Sequence, residues 1–175
     1  MRRLLVLGAL ALLVGACSAS EKNYHDAALK VIHEDLEGQL GMGTLEASCE
    51  DPPSNHVGTT FSCSANTLAG ETVRFSAEIK SGKKILVNTT NVLTTENLAR
   101  VEQEAARILT EQVGQELPAT AVDCGTRPIV AESGRPFVCA LTDPQTGAVF
   151  DTQITLDDVE NPKQLHVQVA NSPRP

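Results

Sequence analysis

Four cysteines constrain this 175-residue chain more than any other feature. Cys49 and Cys63 are 14 positions apart and Cys124 and Cys139 are 15 apart, and the second member of each pair closes the same motif. Gly58-Thr59-Thr60-Phe61-Ser62-Cys63 and Gly134-Arg135-Pro136-Phe137-Val138-Cys139 both read G-x-x-F-x-C. Gly70 precedes Val73 and Phe75 much as Gly147 precedes Phe150. Self-similarity at a period of about 75 residues is the mark of one supersecondary unit made twice. Four cysteines permit three connectivities, and the repeat favours Cys49–Cys63 with Cys124–Cys139. A crossed pairing would tie the copies together and break their equivalence, and zinc is disfavoured because no C-x-x-C spacing exists.

The apolar pattern gives each copy the same plan. Tyr24, Ala28, Ile32, Leu36 and Leu40 recur at spacing four, and Leu98, Val101, Ala105, Ile108, Val113 and Leu117 trace a second helical stripe. Asn23 and Thr95 are the expected N-caps. Downstream, Val73, Phe75, Ala77 and Ile79 alternate with Thr72, Arg74, Ser76, Glu78 and Lys80, and Phe150, Thr152, Ile154 and Leu156 repeat the alternation. Ile85 and Val87 match Leu165, Val167 and Val169 as the last strand of each copy. Ser81-Gly82-Lys83 reads as a tight turn, and Asp157 to Lys163 as a longer one. The expected fold is α+β: two tandem modules, each one helix on a roughly four-stranded antiparallel sheet with one disulfide. A module this small buries a modest core, so closing a loop of about 15 residues, worth about 3 kcal/mol in the chain-entropy model, matters. The two Phe pairs, Phe61 with Phe137 and Phe75 with Phe150, are expected to be spent on packing.

The N-terminus is a targeting segment. Arg2 and Arg3 precede an apolar run from Leu4 to Ala16, 13 residues long and too short for the roughly 20 that span a bilayer. Its end, Val14-Gly15-Ala16-Cys17, resembles the bacterial lipobox. The resemblance implies cleavage before Cys17 and attachment of diacylglycerol to its thiol, hence a lipid anchor on the extracytoplasmic face of a membrane. An exported chain meets an oxidising compartment, which suits the other four cysteines. Residues 1–16 are then a signal peptide, 17–23 the lipidated Cys and a tether of about 20 Å at full extension, 24–93 and 94–170 the two modules, and 171–175 a tail.

Composition and motifs narrow the chemistry. The net charge of −8, which becomes −10 once Arg2 and Arg3 leave with the leader, repels a nucleic-acid backbone. With no Trp, one Tyr and four Phe there is almost nothing to stack bases or sugars on. His33-Glu34 lacks the second His of H-E-x-x-H, and G-x-S-x-G, P-loop and Rossmann patterns are missing. Asp157-Asp158-x-Glu160 reads as a solvated acidic turn rather than a calcium loop, and His33 and His166 as solvated residues. No cofactor and no metal site is expected.

Helix, Cys, G-x-x-F-x-C and two alternating strands together resemble the small secreted module known as domain of unknown function 4333, found in actinobacterial envelope lipoproteins. The likeness covers Tyr24–Leu93 and Thr94–Ala170, although Glu50 and Gly125 stand where the family often has Pro after the first Cys. It implies a fold and a location and no catalytic residues. The resulting expectation is a non-catalytic, membrane-anchored binding or structural module of the cell envelope that contacts an envelope protein. The alternatives are an inhibitor of an extracytoplasmic enzyme and a cryptic hydrolase. The sheet face away from each helix is free for a partner. Asp151, Gln153 and Thr155 are the candidate contact residues on the second sheet.

Overall fold

The computed structural model describes residues 23–81 and 84–175, so the lipobox with Cys17, and Gly82 and Lys83 of the tight turn, lie outside the described residues. The first helix runs through α1 (Tyr24–Val31), a π-helical turn (Ile32–Leu36) and α2 (Glu37–Leu40). Asn23 caps it, its side chain accepting from the Asp26 N–H. In a regular α-helix, apolar residues four apart drift about 40° per step around the axis. The wider π turn takes up part of that drift, so that Ile32 and Leu40 are both buried and Leu36 is half-buried.

The second helix, α3 (Thr95–Val113), is capped by Thr94, one residue before the expected Thr95, because Thr94 keeps an extended backbone and its side chain accepts from the Asn97 N–H. It ends at Gly114 in the left-handed region (φ 68°), which turns the chain away. Leu117, expected on the stripe, therefore lies beyond the helix, and Val113 is 62% exposed. The buried stripe is Leu98, Val101, Ala105, Ala106 and Leu109.

The architecture is α+β. In the first half, β1 (Glu46–Cys49), β2 (Thr60–Asn66), β3 (Thr72–Ile79) and β4 (Ile85–Thr89) pair antiparallel in that order. The chain passes through β5 (Val92–Leu93) into α3. In the second half, β6 (Val122–Asp123), β8 (Pro136–Thr142), β9 (Val149–Leu156) and β10 (Leu165–Pro173) pair in the same sense, while β7 (Ile129–Val130) stands apart and pairs with β5. β10 takes in three residues expected in the tail. In G-x-x-F-x-C the glycine is required. Gly58 (φ 89°) and Gly134 (φ 75°) adopt a backbone that disfavours side chains, and their N–H groups donate at 2.8 Å to the carbonyls of Ile79 and Leu156.

Both disulfides form, Cys49–Cys63 and Cys124–Cys139, with Cα atoms 4.0 and 4.3 Å apart. Cys49 sits directly opposite Cys63, at the close spacing of a non-hydrogen-bonded antiparallel pair, so the bridge staples an edge strand to its neighbour. Register also corrects one expected equivalence. Cys63 pairs with Phe75, but Cys139 pairs with Thr152, and Phe150 instead occupies the position of Val73, beside Leu141 as Val73 is beside Ala65. The counterpart of Phe75 is thus Thr152. Phe61 and Phe75 are buried as expected for packing, whereas Phe137 and Phe150 are only half-buried.

Two apolar cores result, and β5 with β7 forms the wall between them. Val92 faces Val130 and Leu93 faces Ile129 across this short ribbon. Side chains alternate along a strand, so Val92 and Val130 pack into the first core while Leu93 and Ile129 pack into the second. The boundary expected between 93 and 94 coincides in the chain with the end of β5.

Candidate functional site

The two cores end differently. Each helix stops at a left-handed glycine, Gly41 or Gly114, and four residues earlier a side chain catches the backbone of the loop that follows. Glu37 accepts from the Leu45 N–H, and Thr110 accepts from the Leu117 N–H at 3.0 Å. In the first half Leu40 and Leu45, at the end of the helix and just beyond it, are 5% and 1% exposed. In the second half the residue before the glycine is the exposed Val113, and Leu117 is only half-buried.

The sheet side differs as well. Where the first half has Ala65, Val73 and Thr89, the second has the larger Leu141, Phe150 and Val169 at the same register. Between them and the end of α3 lies an open cleft of about 300 Å³, walled by Leu109, Val113, Leu117, Leu141, Phe150 and Val169. Gln115 and Gln145 edge it, and among the described residues its only ionisable lining group is Asp143. The Asp143 carboxylate accepts from the Thr146 hydroxyl at 2.6 Å and the Gln145 N–H at 2.8 Å. These bonds, the Thr146 one foremost, hold its pKa below the usual carboxylate range. Such a lining is predominantly apolar, with one carboxylate at its margin.

Asp151, Gln153 and Thr155 lie on the opposite face of β9 from Phe150, so they do not join this cleft. Asp151 and Gln153 are exposed, Thr155 is half-buried, and Asp151 bonds Arg174 at 2.6 Å. The register equivalent of Asp151 in the first half is Arg74, which bonds Glu132 at 2.6 Å. The outward faces therefore carry opposite charges at one position, Arg74 matched by Glu132 and Asp151 by Arg174, the residue that follows β10. His166 is exposed beside Asp157 at 3.3 Å, and Asp157, Asp158 and Glu160 are all exposed. Among the described residues no group of three or more His, Cys, Asp or Glu is placed to hold a metal ion, and no helix is long and apolar enough to cross a membrane.

The cleft escaped sequence reasoning. The pattern treats Val113 and Leu117 as core, and the signal that could have exposed them is Gly114, a helix stop placed between them. Comparison of the chain with protein-family models, with curated proteins and with solved structures finds no match.

Proposed function

We propose that the chain is a lipid-anchored extracytoplasmic lipoprotein, cleaved before and acylated on Cys17, and built from two tandem copies of a module similar to domain of unknown function 4333. It acts as a non-catalytic binding module of the cell envelope, with the apolar cleft of the second half as its contact site. One observation carries the binding reading. Where the first half buries Leu40 and Leu45 at its helix end, the second exposes Val113 beside an apolar cleft. A cleft of this volume fits one or two apolar side chains of a partner protein. Export is supported by the cysteines, since setting Cys17 aside leaves four that pair as two disulfides.

Two measurements test these parts separately. Cys17→Ser should move the protein out of the membrane fraction or leave it unprocessed; normal processing with continued membrane association would overturn the anchor. Photocrosslinking probes at Val113 and Leu117 in intact cells should capture an envelope protein more strongly than probes at Asp151 and Gln153. Capture from the Asp151 face alone would move the contact to the sheet. No capture from either, joined to hydrolytic activity of the purified chain, would replace binding with catalysis.

A further inference from the structure

The two disulfides sit at equivalent register positions, yet the loops they close touch different things. The loop from Cys49 to Cys63 bonds within its own half: Glu50 N–H to the Ser62 carbonyl, Gly58 N–H to the Ile79 carbonyl, and the Ser54 hydroxyl with that of Thr59. The loop from Cys124 to Cys139 reaches across. It contains β7, which pairs with β5, and Val130 packs on the first core. The Ala131 N–H donates to the Asn91 carbonyl at 2.8 Å, and Glu132 accepts from Arg74 at 2.6 Å.

Asn91 makes this joint continuous with the first sheet. It is 2% exposed, and its side chain takes the place of a neighbouring strand where β4 has ended. The Asn91 amide oxygen accepts from the Arg74 N–H at 2.7 Å, and its NH2 donates to the Thr72 carbonyl at 2.9 Å. A chain of bonds thus runs from β3 through Asn91 to Ala131, inside the second disulfide loop. The start of that loop is tied to α3, where the Glu102 carboxylate accepts from the Cys124 N–H at 2.8 Å, and its own sheet pairing is short. Strand β6 has only Val122 and Asp123 against β8, while β1 has four residues against β2.

We propose that the Cys124–Cys139 loop is the latch that fixes the two halves relative to each other, and that its disulfide is a thiol-sensitive release for it. The reductant is a dithiol. Its thiolate attacks Sγ of Cys124, which is half-buried where Cys139 is 2% exposed, and Cys139 leaves and takes up a proton. The second thiol of the reductant then displaces Cys124. Two protein thiols remain, and the dithiol departs as its own disulfide, oxidised by two electrons. The Cys49–Cys63 bridge, whose loop bonds within the first half, has no such effect on the joint.

The test compares Cys124→Ser/Cys139→Ser with Cys49→Ser/Cys63→Ser in the mature chain by amide hydrogen exchange. Exchange at Ala131 is expected to rise at least about tenfold in the first double variant and to stay within about threefold of the parent in the second. Equal acceleration in both, or none in the first, overturns the latch. If the first variant does not fold, the intact chain is titrated with a dithiol and its thiols are mapped by alkylation. Ala131 exchange must then rise with alkylation of Cys124 and not of Cys49, and the reverse order refutes the proposal.

Discussion

The two halves share strand order, disulfide register and helix-stop glycines, yet one buries the apolar residues at its helix end and the other leaves Val113 exposed there. The difference lies in a few side chains at matched positions. Leu40, Leu45, Ala65 and Val73 are all buried in one core, whereas Leu141 and Phe150 line a cleft at an end of α3 whose Val113 faces solvent. A topology and its backbone hydrogen bonds can therefore be held constant while a core end is converted into a cleft, because apolar burial depends on which side chains meet and not on the ladder that carries them.

The sharpest way to break this comparison is to truncate the matched helix-end residues. Leu40→Ala should cost about 3 kcal/mol, the loss of a buried side chain plus the cavity left behind. Val113→Ala should stay within about 0.5 kcal/mol, as an exposed substitution. Urea denaturation of both variants checks this, and equal losses would mean that the cleft is closed in solution.

A smaller effect is expected at the position where Phe75 and Thr152 correspond. The Thr152 hydroxyl is buried without a hydrogen-bond partner, so Thr152→Val should stabilise the chain by about 1 kcal/mol. Thr152→Phe, which copies the first half, should instead destabilise by about 1–3 kcal/mol if the second core is already filled there. Stabilisation by the larger residue would show an unfilled space beneath the sheet.

The smallest effect belongs to the turn at the cleft edge. Because the Asp143 carboxyl is held below its ordinary range in the folded chain, its contribution is fully present above the ordinary carboxylate pKa. It is lost as the pH falls through the lower, folded value. The amide resonances of Gln145 and Thr146 should titrate below the usual carboxylate range, and Asp143→Asn should remove that titration. A midpoint at or above the ordinary value would show that the Thr146 bond does not form in solution.

Much of the fold was legible because its signals are local. Alternation over Val73–Ile79, the G-x-x-F-x-C glycines and the matched cysteine spacing each report a backbone requirement within a few residues. Three features were not legible. The equivalence of Phe75 with Thr152 depends on cross-strand register, which spacing along one strand does not reveal. The ribbon of β5 and β7 joins two-residue segments 36 to 38 positions apart, too short to show a period. The cleft depends on which residues fail to meet.

From residues alone came the α+β class, the paired cysteines and the two stretches of helix followed by strands, since hydrophobic periodicity, glycine conformation and disulfide spacing act over short separations. Tertiary structure decided the rest. It set Val92 and Leu93 on opposite sides of a shared wall, gave Asn91 a missing strand to replace, and left Val113 facing solvent. Each of these outcomes is fixed by side chains distant in sequence competing for the same space, and an ordering of residues along a chain does not contain that competition.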